Sequence, residues 1–157
     1  MIASIVAVAI MLVIALPFVS AQAIPADPLT NVKTLKAQGI ATQKIADQTV
    51  KFPANFTLTL QPTSTNGTVK KFDVTGGTVV INGVSYTIES GKGGVLARRH
   101  LILLQAQGIG PDGKTVTFEL AGRYFWMGGH LWVARIGAKL QTDNANYTLL
   151  LRAAIRL

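Results

Sequence analysis

From residue 52 onward, short runs of alternating apolar and polar residues are separated by turn-forming pairs. In residues 55–60, Phe56, Leu58 and Leu60 alternate with Asn55, Thr57 and Thr59. That two-residue period is the signature of a strand with one buried face. Turn markers follow at Asn66-Gly67, Gly76-Gly77, Asn82-Gly83, Pro111-Asp112-Gly113 and Gly128-Gly129. Asn82-Gly83 is the clearest, because Val79-Val80-Ile81 precedes it, Val84 to Ile88 follows, and a type I′ hairpin turn needs positive φ at both central residues. Pro111-Asp112-Gly113 is expected to join Leu101–Gln107 to Thr115–Leu120, and Gly91-Lys92-Gly93-Gly94 to be a flexible connection between strands. Regular turns between β-branched and aromatic runs predict an all-β domain over 52–157, an antiparallel β-sandwich or a barrel-like meander.

The two flanks read differently. Residues 24–51 are expected to form a linker and arm: Pro25 and Pro28 disfavour helix at the start, and the apolar density after Leu29 suits only a short helix or an irregular segment. The last eleven residues fit a strand with Tyr147, Leu149, Leu151, Ala153, Ile155 and Leu157 on one face, or a helix that brings Arg152 and Arg156 together. The hairpin-like Thr142-Asp143-Asn144-Ala145 favours the strand.

The densest group of large side chains surrounds Gly128-Gly129. A two-residue loop there sets Met127 opposite His130, Phe125 opposite Trp132, Arg123 opposite Ala134 and Glu119 opposite Ala138. Tyr124, Trp126, Leu131, Val133 and Arg135 then share the other face. Such a ribbon suits a core hairpin between two layers. It also suits an aromatic platform on which Trp126 or Trp132 stacks a sugar while Arg123 or Arg135 binds its hydroxyl or carboxylate groups.

No side chain from Met1 to Ala26 is charged, and residues 5–16 are continuously apolar, followed by Pro17 and the small-residue pattern Ala21-Gln22-Ala23. This predicts a signal peptide over 1–23, or an uncleaved membrane anchor of the same span. The protein is therefore expected to be secreted or extracytoplasmic, with any membrane contact made by the N-terminal segment. Nucleic acid is not an expected partner at that address.

The chain has no cysteine, so neither disulfides nor thiolate metal sites supplement its core. Its net charge of +8 points to anionic partners such as acidic polysaccharide, an anionic cell surface or surface proteins. All six arginines lie in the C-terminal part, where residues 98–157 hold eight basic residues against three acidic ones. An arginine in a strand lays its stem over apolar surface and aims a planar donor fork at carboxylate or phosphate, which makes Arg123, Arg135, Arg152 and Arg156, with Trp126 and Trp132, the candidate ligand-binding residues.

Catalytic signals are weak. Glu89 and Glu119, the only glutamates, would have to converge for a glycan-active hydrolase, and their spacing does not require it. No serine-hydrolase elbow or Walker spacing is present, and no cofactor is implied. A copper-binding domain would draw on the soft donor set of His100, Met127 and His130. Asn55, Asn66 and Asn146 each open an Asn-x-Thr triplet and are candidate glycosylation sites. The reading that accounts for most of these features is a non-catalytic, secreted or tethered β-domain with a binding or structural role at an anionic or glycan surface.

Overall fold

Alternation with a period of two carries almost the whole described chain into strands. The structure is a computed structural model that describes residues 33–129 and 131–156. Eight strands follow one another: β1 (Thr34–Ile45), β2 (Gln48–Asn66), β3 (Val69–Ile81), β4 (Val84–Leu96), β5 (Leu101–Ile109), β6 (Thr115–Gly128), β7 (Leu131–Gln141) and β8 (Asn146–Arg156). Each pairs antiparallel with the next, and β8 returns to pair with β1, so the sheet closes into a barrel rather than splitting into a sandwich. All eight pairings fall within residues 34–156, so closure uses nothing upstream of Lys33. A row of residues taken across the strands begins at Lys71 on β3, passes Gly94, Leu103, Ala121, Gly137, Leu150, Ile40 and Pro53, and meets β3 again at Asn82. That stagger is what tilts the strands of a closed barrel.

Eight strands leave an interior just wide enough for side chains to fill. Three aromatic tiers fill it. Phe52, Tyr86 and Tyr147 meet at one end, Phe56 and Phe118 cross edge-to-face in the middle at 5.7 Å, and Tyr124 and Trp132 meet at the other end under the exposed ring of His100. Aliphatic residues such as Leu58, Ile88, Leu140 and Leu149 pack between the tiers. The outer surface carries the polar set, including Lys36, Gln38, Asn55, Lys92 and Glu119. Membrane-spanning barrels show the opposite polarity, apolar outward and polar inward.

Several expectations are corrected here. The segment expected as a short helical or irregular arm is β1 together with the start of β2. Its buried positions are Leu35, Ala37 and Ala41, and the two alanines leave little hydrophobic period to read, while Gly39 is exposed and a Cβ there would run into the Leu150 carbonyl of β8. Gly76-Gly77 is not a turn; β3 runs through it, beside a register shift at Thr59/Leu60. Gly91 to Gly94 is not a flexible connection but part of β4. A Cβ on Gly91 would meet the Ala106 Cβ at 2.6 Å, and one on Gly93 would run into the Phe72 ring, so these glycines make room for neighbouring side chains. The hairpin at Asn82-Gly83 has positive φ at both residues, 52° and 79°, as the type I′ turn requires. The last segment is a strand with Leu149, Leu151, Ala153 and Ile155 buried. The predicted leader and linker lie outside the described residues.

Tyr86 seals its end of the barrel in contact with Tyr147, at a ring separation of 6.4 Å. Burial, then the hydrogen bond and charge of Tyr147, and finally the charge of Asp112, push its phenol up to about 12. The unfolded chain ionises this group near 10, so the stabilisation is complete below pH 10 and is lost as pH rises from there through 12. Its slope is at most about 1.4 kcal/mol per pH unit. Urea unfolding between pH 9 and 11.5 is expected to show this loss, and Tyr86→Phe to flatten it; an unchanged slope in the variant would assign the loss to other groups.

Candidate functional site

The hairpin between β6 and β7 decides what the outer wall displays. Arg123 pairs with Arg135, Tyr124 with Ala134, Phe125 with Val133 and Trp126 with Trp132, with a register shift between Trp126 and Gly128. This differs by one residue from the register expected for a tight Gly128-Gly129 loop, because Met127 is taken up in the irregularity and Gly128 pairs with Leu131. A slip of one residue turns every side chain of a strand to its other face. Trp132 and Ala134 therefore point inward, and Arg135 points outward beside Arg123 instead of away from it.

Pairing continues from Arg135 to Arg152 on β8, and from Arg152 to Gln38 on β1. Arg123, Arg135 and Arg152 thus form a row of three exposed arginines on adjacent strands, whose backbones lie about 4.8 Å apart. Among the described residues none of the three has an ion pair or a side-chain hydrogen bond. Like charges directly opposite one another destabilise a sheet, so this row leaves a positive potential that a bound anion would relieve.

Next to the row, on the side of the turn at Pro111, lies a furrow of about 900 Å³ in the outer wall. Its floor is low because Gly94, Ala121 and Gly137 succeed one another across β4, β6 and β7, with Leu103 and Leu150 rising as exposed apolar walls. Lys71, Lys92 and Lys139 line it as well. Its one carboxylate, Glu119, accepts a hydrogen bond from Gln105 Nε2 at 3.3 Å and lies opposite Lys139. On the other side of the arginine row stand Phe125, Val133 and Ala154. The surface so formed holds a cationic strip flanked by exposed apolar side chains, suited to an elongated ligand that carries several negative charges.

The remaining candidates fall in different places. Trp132 is 1 % exposed inside the barrel and Trp126 is partly buried with its Nε1 donating to the Gly129 carbonyl at 3.1 Å, so they do not form an outward platform. The Trp132 Nε1 is buried without a hydrogen-bond partner. Arg156 ends β8 opposite Leu131. Glu89 and Glu119 belong to β4 and β6, with β5 between them, and the furrow takes only the second. His100 packs its ring on Tyr124 and Trp132 at 5.2 and 5.9 Å, Met127 is exposed, and His130 lies outside the described residues. No group of three metal-ligating side chains occurs among the described residues. Asn55, Asn66 and Asn146 are all exposed. Asn55 pairs with Gln38 and so continues the row that holds the arginines.

The charge is also polarised along the barrel. Three of the four connections at the Tyr86 end carry an acid, Asp47, Asp112 or Asp143, and Asp143 is bridged to Lys114 at 3.3 Å. The connections at the opposite end carry Arg98 and Arg99 and no acid, whereas Lys114 is the one basic residue within those at the Tyr86 end. Compared with protein-family models, curated proteins and solved structures, the chain matches none of them.

Proposed function

We propose that the protein is a non-catalytic binding domain, secreted or tethered at its N-terminus, whose outer wall over β5 to β8 holds an acidic polysaccharide. The unneutralised row Arg123–Arg135–Arg152 carries this reading. Its forks present donors to successive carboxylates, while Leu103, Leu150 and the shallow floor between them offer apolar contact to sugar rings. The exported address rests on the uncharged leader and its Ala21-Gln22-Ala23 pattern.

The chain from Ile24 onward is expected to be retained on polygalacturonate but not on dextran, and to be released as salt rises from 0.1 to 1 M, where the Debye length falls from about 10 to 3 Å. Changing Arg123, Arg135 and Arg152 together to Gln is expected to weaken retention at least tenfold with an unchanged circular dichroism spectrum. Equal retention of the triple variant, or retention on dextran that ignores salt, would overturn the proposal.

A further inference from the structure

The end of the barrel where the chain enters β1 combines positive charge with exposed apolar side chains. Between β4 and β5 a single 3-10 turn, Ala97–Arg99, presents Arg98 and Arg99 to solvent, neither paired with another described residue. The β6–β7 hairpin stands against this turn, since the Tyr124 N–H donates to the His100 carbonyl at 3.0 Å and the Tyr124 and His100 rings are in contact. From the hairpin project Phe125, 44 % exposed, and Met127, 66 % exposed. Lys33, whose carbonyl accepts from the Leu60 N–H at 2.8 Å, brings the chain into the barrel at this same end. Upstream of it the first 26 residues carry no charged side chain.

We propose that this end of the barrel docks on an anionic lipid bilayer. Arg98 and Arg99 meet head-group phosphates, and Phe125 and Met127 enter the boundary between head groups and acyl chains. Three observations choose a bilayer over another occupant. Basic and large apolar side chains share one end, the acidic turns Asp47, Asp112 and Asp143 lie at the far end, and the chain enters β1 through Lys33 on the docking side. This surface uses none of the arginines assigned to polysaccharide and shares with that site only Phe125, at the margin of the row, so the Arg98 and Arg99 changes and the Arg135 and Arg152 changes separate the two proposals.

The chain has two tryptophans, and neither projects from the tip. Trp132 is sealed inside the barrel, and Trp126, paired with it on the same face, packs partly buried against the core, so the reporter is a tryptophan placed at the exposed Met127. The chain from Ile24 onward, which keeps all eight strands, is mixed with vesicles of phosphatidylcholine alone or with phosphatidylglycerol added. It is expected to sediment with the anionic vesicles only, and Met127→Trp to add an emission that shifts to the blue and is quenched by lipids brominated near the head group. Arg98→Gln with Arg99→Gln is expected to lower partitioning about tenfold or more. Phe125→Ser with Met127→Ser is expected to lower partitioning about tenfold or more. Arg135→Gln with Arg152→Gln is expected to bind vesicles as the parent does. No sedimentation with anionic vesicles, sedimentation unaffected by both tip variants, or its loss in the Arg135 and Arg152 variant would each overturn the proposal.

Discussion

Phe118→Ala is expected to lower the stability of the barrel by about 3–5 kcal/mol, a large share of the roughly 5–15 kcal/mol that holds a domain of this size together. Phe118 is fully buried at mid-barrel and crosses Phe56 edge-to-face at 5.7 Å. Removing its ring leaves a void that the wall cannot close, because the strands around it are fixed by hydrogen bonds on both sides. Urea unfolding gives the loss as a lower midpoint at constant slope. Leu150→Ala is the control: Leu150 is 61 % exposed on the outer wall, and the change is expected to stay within about 0.5 kcal/mol. A Phe118→Ala variant as stable as the parent would mean that the interior is not closely packed.

Gly108→Ala is expected to destabilise the protein by about 1–3 kcal/mol, although it adds a single methyl group. A Cβ at Gly108 would run into the carbonyl oxygen of Thr87 and stand 2.8 Å from the Ile88 Cα. These are backbone atoms, so no rotamer change relieves the clash. The adjoining register shift between Ile88 and Ser90 would have to move instead. Gly137→Ala has the opposite expectation. The nearest atom to its new methyl group is the Ala121 carbonyl oxygen at 3.8 Å, an ordinary contact, and loss of glycine's freedom in the unfolded chain makes the change neutral or slightly stabilising. Thermal melting of the two variants separates a glycine required by close approach from one that merely floors the furrow. Similar melting temperatures would show that the β4–β5 approach is not tight.

Strands lined by large residues were legible in the sequence. Phe56, Leu58 and Leu60 on β2, and Leu149, Leu151 and Ile155 on β8, announce their buried face because each contributes a side chain far more apolar than its neighbours. Turn chemistry was legible where backbone conformation demands it, as at Asn82-Gly83. β1 was not, because a tight interior asks it for Ala37 and Ala41, whose apolar signal is faint, and the exposed Gly39 falls between them. The glycines of β4 misled for a related reason: glycine marks a turn when it relieves backbone strain, and marks a strand when another chain segment occupies the place of its side chain.

The candidate site was visible as residues and invisible as an arrangement. Composition already gathered the arginines into the C-terminal part and gave the chain its +8 charge. Counting back from Gly128-Gly129, however, sends Arg123 and Arg135 to opposite faces. The irregularity at Met127 moves β7 by one residue and sets them side by side. Nothing local to the hairpin dictates that slip. It is favoured by burying Trp132 with Tyr124 inside the closed barrel, where their ring centroids lie 5.6 Å apart, a contact that exists only after distant strands have assembled.

By itself the sequence determined the all-β character, the antiparallel order and most turns, since period-two patterning and positive-φ residues act over a few positions. Tertiary structure alone decided that the sheet closes on itself, which glycines are spacers, and that three like charges stand in one row. Each of those depends on how strands far apart in the chain are registered, and the register follows from packing a single shared interior.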